Sequence, residues 1–257
     1  MSDWIGHPSI VLGLGALLFA YVRSVRRGAR KAGQVVSTSQ AAYFGLALLA
    51  IYVSLASPLH DLSERYLFSA HMVQHLLLTL VAPPLILLGT PGWMLSPLVR
   101  PRFVYRLAAW VTGPLIAFIV FNVAFAMSHI PALYDLTLEN HGMHIVEHLI
   151  FMGTAVLMWW PILSPMRELP RIAPPLQILY VFFQTIPSSL VGALITLSER
   201  PLYPTYANAP RVFELSALMD QQVGGALMWV AGGFYFLALA TIIFFVWAHR
   251  EEAVAAT

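Results

Sequence analysis

Long apolar stretches separated by short polar segments dominate the sequence. Seven stretches reach about 18 residues or more with few charges, which is the length that a helix needs to cross a bilayer. They predict membrane-spanning helices at about 8–24, 39–57, 66–89, 104–129, 141–163, 173–197 and 219–248. The chain is therefore predicted to be all-α, with residues 1–257 forming one heptahelical membrane domain.

Prolines and glycines mark special points within these stretches. Pro83-Pro84, Pro114 and Pro187 lie inside the third, fourth and sixth predicted helices. Proline cannot donate a backbone hydrogen bond and clashes with the preceding turn, so these positions are expected to interrupt or kink their helices. Gly224-Gly225 in the seventh helix should permit close packing against a neighbouring helix.

Composition excludes an ordinary soluble domain. Hydrophobic residues make up 59% of the chain and charged residues 10%, against roughly 25% charged residues in soluble domains. Asp3 precedes the first apolar stretch and a basic cluster follows it, which is the reverse of a cleavable signal peptide. We therefore expect that stretch to remain as a helix. The net charge of +2 gives no support to nucleic-acid binding.

The basic residues predict the orientation in the membrane. Alternate connections carry 11 of the 14 basic residues, whereas the opposite side holds Arg65, Arg200 and Arg211. The 11 are Arg23, Arg26, Arg27, Arg30, Lys31, Arg100, Arg102, Arg106, Arg167, Arg171 and Arg250. By the positive-inside rule, the N-terminus is predicted to lie outside and the C-terminus in the cytoplasm.

With this topology, eight of the nine histidines fall on the extracytoplasmic side. They are His7, His60, His71, His75, His129, His141, His144 and His148, and only His249 lies inside. His7, His60 and His249 stand alone near helix ends, where an interfacial or hydrogen-bonded role is the simpler explanation. The other six are concentrated where the third, fourth and fifth helices meet the outer surface.

The spacing of these histidines predicts a shared site. His71 and His75 are one helical turn apart, as are His144 and His148, so each pair lies on one face of its helix. At about 1.5 Å per residue, both pairs lie roughly 5–15 Å below the surface. Ionisable groups at such depths usually face the bundle interior. We predict that these four ligate metal, while His129, His141 and Asp220 fill or orient the site, although Asp220 could also be a plain N-cap.

The donor types narrow the choice of metal. The chain has no cysteine, which excludes thiolate zinc sites. Imidazole suits copper, zinc and iron, and thioethers favour monovalent copper. Met72, Met127, Met143 and Met219 lie in the same layer, although packing is the simpler role for each of them. Copper is therefore the expected metal, and zinc is the second choice.

Four segments carry a resemblance to a known family. They are HMVQHLLLTLVAPPLILLGTP, HGMHIVEHLIFMGTAVLMWWPIL, PLYPTY and DQQVGGALMW. They resemble the CtaG family of multi-pass membrane cytochrome c oxidase assembly factors, over roughly residues 40–248. His71, His75, His144, His148 and Asp220 match its motifs, and His129, His141 and Glu147 are carried over with them.

The resemblance implies a function and a set of partners. It implies a non-enzymatic protein of the bacterial plasma membrane that handles copper while an active haem–copper oxidase is built. Its implied partners are oxidase subunits, extracytoplasmic copper chaperones and the lipid bilayer.

Three other classes fit parts of the pattern. His144, Glu147 and His148 form HxxEH, a zinc-peptidase motif in which the glutamate activates water, but the histidines of the third helix would then have no role. A histidine-box di-iron oxygenase would need its boxes to face the cytoplasm, where reducing partners work. A metal transporter would need polar residues across the whole bilayer, and the inner halves of helices three, five and seven carry almost none.

Overall fold

A computed structural model describes residues 8–139 and 141–255, and every regular element in these ranges is helical. Two of the helices continue through π-helical segments, Leu77–Val81 and Leu227–Ala231, and Ser96–Val99 forms a 3-10 turn. The α-helices are α1 (Pro8–Ala32), α2 (Thr38–Ala56), α3 (Pro58–Arg65), α4 (Phe68–Leu76), α5 (Ala82–Gly89), α6 (Gly92–Leu95), α7 (Arg102–Val111), α8 (Pro114–Ser128), α9 (Pro131–Glu139), α10 (His141–Leu163), α11 (Pro174–Thr196), α12 (Pro204–Asn208), α13 (Ala217–Ala226) and α14 (Gly232–Ala255).

Six helices of the described chain are long and apolar enough to cross a membrane, and the number rises to seven if one bent pair forms a single span. The bent pair is α7 and α8, whose axes meet at 66°. The six spans are Ser9–Arg30, Thr38–Ala56, Phe68–Gly89, Gly142–Leu163, Pro174–Thr196 and Ala217–Ala255. The predicted all-α membrane class is confirmed, whereas the orientation of the termini stays a prediction.

The predicted prolines act in three different ways. The fourth predicted helix breaks immediately before Pro114, where Gly113 is extended with φ −59° and ψ 139°. This is expected because the residue before a proline avoids the helical conformation. Pro83 and Pro84 open α5 directly after a π-helical segment, and α11 continues through Pro187.

Other helices satisfy the carbonyl groups that Pro83 and Pro84 release. In an α-helix their missing N–H groups would have bonded the carbonyls of Thr79 and Leu80, four residues earlier. Trp159 Nε1 donates to Thr79 O at 2.7 Å, and Tyr235 Oη donates to Leu80 O at 2.7 Å. The distorted segment is therefore anchored by α10 and α14, as lipid-embedded backbone requires.

The α4–α5 span is the centre of the bundle, with α2, α10 and α13 packed around it. Gly224 of α13 makes room for α4, because a Cβ atom there would overlap the Phe68 ring and lie 3.2 Å from Met72 Cγ. A Cβ atom on Gly225 would lie 2.8 Å from Gly192 O of α11. The close approach expected at Gly224-Gly225 is thus present.

Four short helices in the connections, α3, α6, α9 and α12, were not predicted. They are too short or too polar to produce an apolar membrane pattern. The α3 helix follows local rules instead: Ser57 Oγ accepts a hydrogen bond from Leu59 N, Pro58 lies in the first turn, Asp61 follows it and Arg65 lies in the last turn. This arrangement satisfies and complements the helix ends.

Candidate metal centre

Five buried imidazoles from three parts of the fold meet at one end of the bundle. The α4 helix supplies His71 and His75, α10 supplies His144 and His148, and His129 caps the C-terminus of α8. All five are buried. We call His71, His75, His129 and His148 the imidazole cluster.

The ring separations in the imidazole cluster come close to those that one metal would impose. With metal–nitrogen bonds of about 2.0 Å, two imidazoles on one ion have centroids about 4.5–6.3 Å apart, depending on the angle between the bonds. The observed centroid distances are 4.2 Å for His71–His75, 5.8 Å for His75–His129, 6.2 Å for His75–His148 and 6.5 Å for His71–His148. The shortest and the longest fall just outside that range. The pairs predicted from helical spacing thus face each other across α4 and α10.

Asp220 fixes the start of the helix that carries His71 and His75. The first residue before α4, Leu67, provides no side-chain cap. Instead Phe68 N donates to Asp220 Oδ2 at 2.7 Å, and Ser69 N and Oγ donate to Asp220 Oδ1 at 3.1 and 2.5 Å. A carboxylate at a helix N-terminus also complements the helix dipole.

These contacts correct the simple N-cap interpretation of Asp220. The N-cap of its own helix α13 is Ser216, whose Oγ accepts from Met219 N at 3.1 Å. Because both oxygens of Asp220 accept hydrogen bonds from α4, the contacts favour the orienting role predicted from the sequence over direct metal ligation.

A tyrosine pair sets the tautomer of His71. Tyr206 Oη donates its proton to the carbonyl of Ser63, so it can only accept from Tyr134 Oη at 2.9 Å and from His71 Nδ1 at 3.3 Å. Burial raises the pKa of both phenols well above the usual value, which keeps their donating protons in place. His71 therefore carries its proton on Nδ1, and the lone pair of Nε2 points towards His75.

The backbone sets the tautomer of His129 in the same way. His129 Nδ1 lies 2.6 Å from the carbonyl oxygen of Phe125 and donates to it. The lone pair is then on Nε2, which is buried and makes no hydrogen bond to any described residue. Donation from one ring nitrogen to a carbonyl, with the other left for metal, is the usual arrangement of a ligating histidine.

Of the remaining nitrogens of the imidazole cluster, two are bonded to each other and two others lack protein partners. His71 Nε2 and His75 Nε2 are 2.7 Å apart, and because His71 carries its proton on Nδ1, His75 Nε2 donates to His71 Nε2. His75 Nδ1 and His148 Nε2 are buried without a hydrogen bond to the described residues. An unpaired buried polar atom costs about 1–3 kcal/mol, so these nitrogens are expected to bind something other than protein.

His60 was predicted to lie apart from the other histidines and Glu64 was not predicted as a ligand, yet both side chains lie against His144. In the described part of the chain, one group of three donors has all its ligand atoms within 4.8 Å: His60, Glu64 and His144. We call this group the triad. The signal that could have revealed it is the i, i+4 spacing of His60 and Glu64 after the Ser57-Pro58 helix start, which places both on one face of a helix.

Glu147 lies beside the second nitrogen of His144. Its Oε2 atom is 3.5 Å from His144 Nδ1, and neither carboxylate oxygen makes a hydrogen bond within the described residues. A carboxylate next to the non-ligating nitrogen orients a metal-bound histidine and increases its basicity. Glu147 is therefore placed to tune His144.

The other predicted contributors have separate positions. The side chain of His141 and all of His7 lie outside the described residues, and His249 is exposed near the end of α14. Met72 is buried in the core, whereas Met127, Met143 and Met219 are largely exposed. The methionines thus follow the packing interpretation.

Apart from His7, the residues discussed above lie within the part of the chain that matches a known protein family. A family model described as cytochrome c oxidase caa3 assembly factor matches residues 19–250. An uncharacterized protein of Mycobacterium leprae is 24% identical over 268 residues, covering 98% of this chain and 40% of its own length. Uncharacterized proteins of Mycobacterium bovis and Mycobacterium tuberculosis are each 23% identical over 206 residues, covering 74% of this chain and 31% of their own lengths.

The chain spans less than half the length of these relatives. No solved structure matches it.

Proposed function

Since the chain belongs to the Caa3_CtaG family of cytochrome c oxidase caa3 assembly factors, we propose that it binds copper in the imidazole cluster and releases it to an oxidase subunit during assembly. Copper is the cargo in this proposal, and the protein catalyses no reaction. His71, His75, His129 and His148 supply the donors. The partners are haem–copper oxidase subunits in the bacterial plasma membrane and extracytoplasmic copper chaperones that supply the metal.

One observation carries the proposal: buried nitrogens of His75, His129 and His148 have no partner among the described residues, while the tautomers of His71 and His129 leave Nε2 as a lone pair. These unpaired nitrogens and lone pairs are what a metal ion that binds neutral imidazoles requires. The fit requires some movement, because the donor atoms of the imidazole cluster do not yet converge as those of the triad do. A cargo site that must also release its ion is expected to be less rigid than a permanent one.

The middle of the bundle favours assembly over transport. Asn122 Nδ2 donates to Gln184 Oε1 at 2.6 Å, Gln184 Nε2 donates to Tyr180 Oη at 3.2 Å, and Tyr180 Oη donates to Met158 O at 2.9 Å. These polar groups satisfy one another instead of lining a path. The cavity between them and the imidazole cluster has a volume of about 30 Å³, which is room for only a few water molecules.

Glu147→Gln separates copper handling from the zinc-peptidase alternative. If His144 contributes to metal binding beside the imidazole cluster and Glu147 orients it, the loss of Glu147 should weaken metal binding by about 10–100-fold, and raised copper should restore oxidase maturation. A general base in an HxxEH peptidase would behave differently: the variant would keep its metal and lose function at every copper concentration. Metal content and oxidase activity, measured together on the variant, decide between them.

The predicted orientation places the imidazole cluster on the extracytoplasmic side. A reporter that is active only outside the cytoplasm should be active when fused near residue 137 and silent when fused near residue 168. The physical basis is the 11-to-3 distribution of basic residues between the two sides and the positive-inside rule. The opposite pattern would put the histidines in the cytoplasm and favour an oxygenase.

A further inference from the structure

The triad is nearly in metal-binding geometry already. His60 Nε2 lies 3.1 Å from Glu64 Oε1, and His144 Nε2 lies 3.0 Å from the same oxygen. Two ligands of one tetrahedral ion, each about 2.0 Å from it, are about 3.3 Å apart. The two separations therefore differ from this value by only a few tenths of an ångström.

The triad differs from the imidazole cluster in charge and in access. Glu64 contributes a carboxylate, and its side chain is 21% exposed, whereas those of His60 and His144 are 4% exposed. A cavity of 350 Å³, lined mainly by apolar residues of α1, α2, α10 and the π-helical segment that contains Leu78, reaches Glu64, His60 and His144. An anionic donor at an accessible position suits an incoming divalent cation, since it offsets part of the cost of removing the ion from water.

The surroundings of the triad allow a metal ion to take the place of the proton on His60 Nε2. Gln74 Nε2 can only donate, and it lies 3.1 Å from His60 Nδ1, so the proton of His60 is on Nε2, facing Glu64. Metal at Nε2 would move this proton to Nδ1 and require the Gln74 amide to turn. Gln74 Oε1 is buried and unpaired within the described chain, so turning would give this oxygen a donor, at the expense of the bond from Nε2 to Ser54 O.

His144 connects the triad to the imidazole cluster. Its ring centroid lies 4.2 Å from that of His148 and 6.1 Å from that of His71. The His144 ring therefore lies next to two rings of the imidazole cluster, which is the position that handing over an ion would require.

We propose that His60, Glu64 and His144 form a second metal site, which takes up a divalent first-row transition-metal ion and passes it to the imidazole cluster through His144. This inference rests on the proposed function, because the imidazole cluster is its acceptor. It assigns the triad a separate role: loading from the exposed side of Glu64.

The test is Cu²⁺ binding to the purified full-length chain in lipid nanodiscs, read by equilibrium dialysis and electron paramagnetic resonance. The wild type should bind two ions per chain, one of them with mixed nitrogen and oxygen ligands. Glu64→Gln should lose the ion with the mixed signature and fill the remaining site more slowly, whereas His75→Ala should lose the other ion. Asp61→Asn is the matched control, since it removes a negative charge from the same helix outside the triad, and it should keep both ions.

Two outcomes would overturn the second site. If Glu64→Gln binds and loads Cu²⁺ as Asp61→Asn does while His75→Ala loses metal, the triad is no site, although the proposed function stands. If Glu64→Gln loses all metal and His75→Ala none, the two sites are not in series and the proposed function fails as well. His60→Asn is a second variant of the triad and should reproduce the Glu64→Gln result. An unchanged midpoint of thermal unfolding in this variant would rule out a folding defect as the cause.

Discussion

Replacing His75 by alanine is expected to remove most of the high-affinity copper and to prevent oxidase maturation. His75 is the centre of the imidazole cluster, with the rings of His71, His129 and His148 all within 6.2 Å of its own. His148→Ala should have a comparable effect, because the remaining imidazoles cannot replace a missing donor. Ligands of one site are coupled, so the double variant should be little worse than either single one.

Folding should survive these substitutions. Each removes a buried ring that has one nitrogen without a partner among the described residues, and the side chain of His75 has one hydrogen-bond partner there, His71. His249→Ala is a matched control, because it deletes an exposed histidine at the far end of α14. Copper affinity and oxidase activity would be measured for all four variants. Additive losses of copper affinity in the double variant, or normal copper binding in either single variant, would show that the histidines form separate structural pairs and not one site.

Asp220→Ala is expected to destabilise the protein by about 2–4 kcal/mol, because it leaves the buried N–H group of Phe68 and the partly buried N–H group of Ser69 without an acceptor. The N-terminus of α4 should fray, and copper binding should weaken because His71 lies in its first turn. The midpoint of thermal unfolding and the copper affinity should therefore fall together. Ser216→Ala, which removes an N-cap at the exposed start of α13, is the control and should cost about 0.5–2 kcal/mol while leaving copper binding unchanged.

The competing role for Asp220 gives the opposite pattern. If Asp220 were a direct metal ligand, the Asp220→Ala variant would lose copper with little change in its midpoint of thermal unfolding. Asp220→Asn refines the comparison, since the amide keeps one acceptor oxygen for α4 but loses the charge. A stable Asp220→Ala protein without copper would return Asp220 to the ligand set.

Local patterns were enough to predict the spans and the two histidine pairs. Apolar length marks the spans because lipid demands it, and helical periodicity sets which residues of α4 and α10 share a face. His71, His75, His144 and His148 therefore meet as expected once the two helices pack together.

Contacts between distant parts of the chain could not be predicted in this way. Asp220 lies 152 residues from Phe68, whose N–H it accepts, and nothing local distinguishes this from an N-cap. The same holds for Trp159, which satisfies a carbonyl released by Pro83. Glu64 was overlooked because α3 is a short helix whose start depends on Ser57 and Pro58 and not on apolar periodicity.

The central claim is that the imidazole cluster carries copper for an oxidase, and elemental analysis of the purified protein tests it most directly. The protein would be isolated from cells that are assembling the oxidase, with and without added copper, beside His75→Ala and His249→Ala. Copper that co-purifies with the wild type and with His249→Ala, and is missing from His75→Ala, is the predicted result. Zinc or iron in place of copper, or equal copper in all three proteins, would contradict it.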